Sequence, residues 1–96
     1  MKPVTQALER LAATLDPFDI GSAEYVRAAK SHTPQSIADD LNLWGGSGSL
    51  MDQALASRDR VAAAIVLGQT LRAAGARNAR MERWVAALES SANDNV

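Results

Sequence analysis

The stretch DLNLWGGSGSLMDQA, from Asp40 to Ala54, decides how this chain is read. Three glycines and two serines interrupt a sequence otherwise rich in alanine and leucine, and Trp44 stands directly before them. Glycine costs about 1 kcal/mol relative to alanine inside a helix. The segment is therefore a Gly/Ser-rich connection with helices on either side. Upstream of it, Thr33 to Leu43 has the pattern of the first helix and turn of a helix-turn-helix, and the glycines fall where the recognition helix of that motif begins.

Working outward, the composition supports helices and little else. The 96 residues suffice for one domain with a modest core. Hydrophobic residues make up 47% of the chain, so wholesale disorder is not expected. The apolar side chains are mainly Ala, Leu and Val, and no period-two run of β-branched or aromatic residues marks a strand. With no cysteine, a disulfide frame, an iron–sulfur cluster and a thiolate zinc site are excluded. The opening MKPVTQALER lacks the apolar core of a signal peptide, and the longest apolar run, Val61 to Leu67, is too short to cross a bilayer. The expectation is a cytoplasmic protein. Its net charge of −1 gives no general attraction to nucleic acid or anionic lipid.

Spacing and capping residues predict the elements. Val4, Leu8, Leu11 and Leu15 form one buried stripe of a first helix that ends near Asp16, ahead of Pro17. Ser22 is the expected N-cap of a second helix, Ala23 to Ser31, which presents Tyr25, Val26 and Ala29. Thr33 caps a third, Pro34 to Leu43, burying Ile37, Ala38 and Leu41. Beyond the glycines, Ser49 caps a short helix through Ala56, and Ser57 caps a longer one, Arg58 to Ala74, in which Gly68 and the alanines allow close helix contact. Gly75 stops it. Asn78 caps the last helix, which runs to about Ser90 with Met81, Trp84, Val85 and Leu88 on one side. The expected fold is all-α: a compact bundle of about five short helices with the Gly/Ser-rich loop between the third and fourth. Residues 1–91 form the domain and 92–96 a disordered tail. The expected core is Leu8, Leu11, Ile37, Leu41, Ile65, Leu71, Trp84 and Leu88.

Few residues offer chemistry. His32 is the only histidine and has no nucleophile pattern around it. Asp39, Asp40 and Asp52 lack the ordered third ligand of a cation site. No catalytic set, metal site or cofactor is expected, and the chain is not read as an enzyme. A phosphate loop needs Lys-Ser or Lys-Thr after its last glycine, whereas Ser49 and Leu50 follow Gly48 here. The helix-turn-helix match also weakens past Leu43. Asn42 stands at the turn glycine, Gly48 at an apolar position, and Gly45 to Asp52 holds no Lys or Arg to meet bases or phosphates. A degenerate DNA-binding regulator is the alternative reading. Binding to protein is the leading one, because Trp and Arg are enriched at interface hot spots. Trp44, with Leu50, Met51, Arg80 and Arg83, is the expected contact set. For Trp44 itself, anchoring to the core outweighs direct partner contact, because burial of so large an aromatic ring is strongly favourable.

Two segments carry a resemblance. WGGSGS at Trp44 to Ser49 with Asp52-Gln53-Ala54, and GARNAR at Gly75 to Arg80 followed by Trp84, are similar to small proteins of alphaproteobacterial mobile genetic elements. Among these the chain resembles antiactivators of the QseM type, which act in quorum sensing by binding and blocking transcriptional activators. The resemblance leaves the N-terminal helices uncovered and assigns no binding residue. It implies a protein partner, a transcriptional activator, while the net charge and the short apolar runs lead to the expectation of no direct nucleic-acid contact and no membrane. Homodimerisation through Val61 to Leu71 is left open.

Overall fold

Six residues at helical spacing organise the N-terminal part of the chain. Val4, Ala7, Leu8, Leu11, Ala12 and Leu15 are all buried, on one side of helix α1, Lys2–Leu15. The computed structural model describes residues 2–17, 19–45, 49 and 57–94. Over these the chain is all-α, with helices packed around one apolar core. Among the described residues no helix is long and apolar enough to cross a membrane.

Helix α2, Ile20–Ala28, begins earlier than its sequence suggests. Asp19 is the N-cap, and its carboxylate accepts from the Ser22 backbone N–H at 3.1 Å and from the Ser22 hydroxyl at 2.6 Å. Ser22 therefore supports the cap and does not provide it. A 3-10 turn, Ala29–Ser31, ends the segment. Ala23, Val26 and Ala29 are buried. Arg27 spans the gap between α1 and α2, with Nη2 2.7 Å from Glu9 and Nη1 2.6 Å from Asp16, while Lys30 Nζ lies 2.6 Å from Glu9.

The third expected helix is two. Thr33 caps α3, Pro34–Ala38, by accepting from the Ser36 N–H at 3.1 Å. Asp40 then caps α4, Leu41–Trp44, accepting from the backbone N–H of Asn42 at 2.8 Å and of Leu43 at 3.3 Å. The break carries Leu41 outward. Its 60% exposure removes it from the expected core, while Leu43 and Trp44 turn inward. Had the helix continued, Leu41 would have lain over Ile37 on the buried face. Tyr25, 39% exposed, closes this corner by donating to Asp40 Oδ2 at 2.6 Å and accepting from Asn42 Nδ2 at 3.0 Å. Of the Gly/Ser-rich connection, Ser49 is buried. The short helix expected up to Ala56 lies outside the described residues.

Helix α5, Arg58–Ala73, starts at its expected cap, Ser57. It packs against α1, α3 and the last helix, α6, Ala79–Asp94. That central place accounts for a sequence apolar nearly all round. Val61, Ala63, Ala64, Leu67 and Leu71 are buried inside the bundle, so this run is used within the fold, while Ile65 is only partly covered. Gly75, at φ 92°, ends α5 as its sequence suggests. The Ala76 N–H donates to Leu71 O at 3.0 Å and the Gly75 N–H to Arg72 O at 3.0 Å, the paired bonds of a Schellman stop. Helix α6 runs on to Asp94, past the Ser90 end and into the expected tail.

Where α5 and α6 cross, a Cβ built on Gly68 would lie 2.3 Å from Val85 Cγ2. Val85 is fully buried and has no free direction in which to yield. Gly68→Ala should therefore lower the melting temperature, because overpacking of about 1–3 kcal/mol outweighs the gain of about 1 kcal/mol in helix propensity. In a Val85→Ala background the obstacle is gone, and the same change should be neutral or stabilising in thermal melts followed by circular dichroism.

The clamp between α1 and α2 predicts acid sensitivity. Hydrogen bonds from Arg27 and then Lys30 lower the Glu9 carboxyl from 4.5 to about 2, and Arg27 lowers that of Asp16 as well. A depressed acid contributes stability above its unfolded value and loses it as pH falls through the folded one. Melting temperature should therefore drop as pH falls from about 4.5 towards 2. Glu9→Gln should flatten the profile in that window.

Candidate functional site

The α6 sequence divides its residues between two directions. Met81, Val85 and Leu88 recur at helical spacing and are fully buried. Arg80, Arg83, Trp84 and Ala87 follow their own i, i+3, i+4, i+7 pattern on the flank beside that stripe. Trp84 lies at the boundary and is half-buried, packed against the core without belonging to it. This corrects its expected place in the core. Together with Trp44 and Gly45, these four residues line a shallow, open depression of about 340 Å³.

The opposite wall comes from α4. Trp44 is 1% exposed, and its indole N–H donates to Ile37 O at 3.1 Å. The side chain pins α4 to the core, as the anchor reading expects, and leaves almost no surface for a partner, so Trp44 drops out of the expected contact set. Its burial nonetheless fixes Gly45 beside α6. A Cβ on Gly45 would lie 2.1 Å from Leu41 O, so a larger residue could not close α4 this tightly. Of the expected contact set, Arg80 and Arg83 therefore meet at one depression with Trp44 beneath it. Leu50 and Met51 lie outside the described residues.

A polar network sets the start of α6. Asn78 Oδ1 accepts from the N–H of Arg80 at 2.9 Å and of Met81 at 3.1 Å, and Asn78 Nδ2 donates to Asp39 at 2.8 Å. The Gln35 amide pairs with the backbone of Arg77 in both directions. Its Oε1 accepts from the Arg77 N–H at 3.0 Å and its Nε2 donates to Arg77 O at 2.8 Å. Sequence reasoning found Asn78 by its capping role. It missed Gln35, which has no local signal and acts across the fold.

Cations on this flank form no ion pair with a described residue, as is also true of Arg10, Arg58 and Arg77, but here two of them adjoin a half-buried tryptophan. Arg27 and Lys30 are paired with Glu9 and Asp16, and Arg72 holds Glu82 through Nε at 3.1 Å and through a second, shorter bond. Arg80 and Arg83 are exposed and form no ion pair with a described residue. The hydroxyls of Thr14, Ser31 and Thr70 donate to nearby carbonyls, and that of Ser22 to Asp19. Among the described residues no three His, Cys, Asp or Glu side chains gather as a metal site. What the flank can do chemically is hold carboxylates and cover apolar surface.

The two tryptophans should separate in experiment. Trp44→Ala should cost about 3–5 kcal/mol in urea denaturation, and Trp84→Ala roughly half of that, since part of its ring already meets water. Iodide should quench the emission of a Trp44→Phe variant, where Trp84 remains, and largely spare that of a Trp84→Phe variant. No family model matches the chain, and neither a curated protein nor a solved structure matches it.

Proposed function

We propose that this chain is a small regulatory protein of the cytoplasm that works by binding another protein, with the α6 flank of Arg80, Trp84 and Arg83 as its contact face. The observation that carries the reading is the pairing of two arginines without ion-pair partners among the described residues with a half-buried tryptophan around one depression. Arg and Trp are the residue types that dominate interface energetics. The resemblance to QseM-type antiactivators makes the partner a transcriptional activator. The chain would then inhibit by occupying a surface the activator needs. No cofactor or metal enters this mechanism, and the chain itself makes no contact with DNA.

The test is affinity capture from the native host with the tagged chain, comparing wild type with Arg80→Glu/Arg83→Glu and identifying retained proteins by mass spectrometry. Both substitutions are on the surface and should change stability by less than about 0.5 kcal/mol each. The expected result is a transcriptional activator retained by the wild type and lost by the variant, with unchanged melting. Identical capture by the two chains would overturn the assigned face. A sub-micromolar, salt-sensitive gel shift on a specific duplex would overturn the protein-binding reading in favour of a degenerate helix-turn-helix regulator.

A further inference from the structure

We infer that the occupant of the α6 depression is an acidic peptide segment carrying one large apolar side chain, the apolar group resting on Trp84 and neighbouring carboxylates held by Arg80 and Arg83. This rests on the protein-binding reading above and names the chemistry of the partner. The floor is apolar: the half-buried Trp84 ring and Ala87, with Trp44 buried beneath them. The rim is cationic, and guanidinium forks suit carboxylates through two parallel hydrogen bonds. At about 340 Å³ the depression is at the small end of ligand sites and is open to solvent, so it accepts a side chain from a surface and does not enclose a free cofactor.

Charge also argues against a basic helix, which Arg80 and Arg83 would repel. A second copy of this chain, which carries the exposed acids Glu24 and Asp59, is the competing occupant. Concentration-dependent self-association lost in Arg80→Glu/Arg83→Glu would favour it and overturn the inference.

The probe is a displayed library of random peptides about twelve residues long, selected on the intact protein and counter-selected on Arg80→Glu/Arg83→Glu. Enriched peptides should carry net negative charge around a Trp, Phe, Leu or Ile. A synthesised winner should bind the wild type at least about tenfold more tightly than the variant, weaken as salt rises, and shift the Trp84 emission of the Trp44→Phe chain. Enrichment without acidic bias, no enrichment, or equal binding to the charge-reversed chain would overturn the inference. Should capture of the host partner still depend on Arg80 and Arg83 when the library fails, the protein-binding reading stands and only the acidic occupant falls. Capture indifferent to both arginines removes the two together.

Discussion

At the crossing of α5 and α6, the backbone of Gly68 comes so near Val85 that one added methyl group would overlap it. The position of α6, and hence of everything it displays, follows from that approach. Helices that meet through a glycine gain close dispersion contact along neighbouring turns, here among Ala64, Leu67, Leu71, Met81 and Leu88, all fully buried. The contact also fixes rotation. With Val85 seated on Gly68, the core stripe of α6 is committed inward, and Arg80, Arg83 and Ala87 come to lie on the flank.

The second support is smaller and more local. Helix α4 has only the four residues Leu41–Trp44, too few to stand by propensity. It is held by an acidic cap at one end and a buried indole at the other. Satisfying the indole N–H with Ile37 O removes the cost of burying a polar group with so large a ring. The same arrangement brings Gly45 against α6 and completes the depression. Core and surface are thus joined through one side chain, and damage at Trp44 reaches the α6 depression without touching an exposed residue.

The parts of the fold that depend on short-range rules were legible in the sequence. The leucine stripe of α1, the caps Thr33, Ser57 and Asn78, and the glycine stop at Gly75 each follow from neighbours within a turn or two. Where two local solutions compete, the sequence does not choose. Asp19 and Ser22 can both cap α2, and the carboxylate wins by taking both the backbone and the hydroxyl of Ser22 as donors. Leu41 fits the spacing set by Ile37, yet Asp40 offers a new cap and breaks the helix. Trp84 satisfies the core spacing only at its margin. Arg80 and Arg83 could be named from the sequence because they share a helix with Trp84 and both residue types are enriched at interfaces. The floor of the candidate site was not legible, because the approach of Gly45 to α6 is a tertiary event, as is the Gln35 amide pairing with Arg77.

That pairing has a consequence for the joint between α5 and α6. Its backbone donors are committed in sequence: Ala74, Gly75 and Ala76 to carbonyls of α5, Arg77 to Gln35, then Arg80 and Met81 to the Asn78 side chain. A connection held at so many points has a set length. Adding or deleting one residue would leave a glycine's left-handed turn or the amide bridge out of step with its counterpart. The two long helices are therefore joined by a spacer, not by a hinge, and insertions that surface loops usually absorb would here change the register of the face itself.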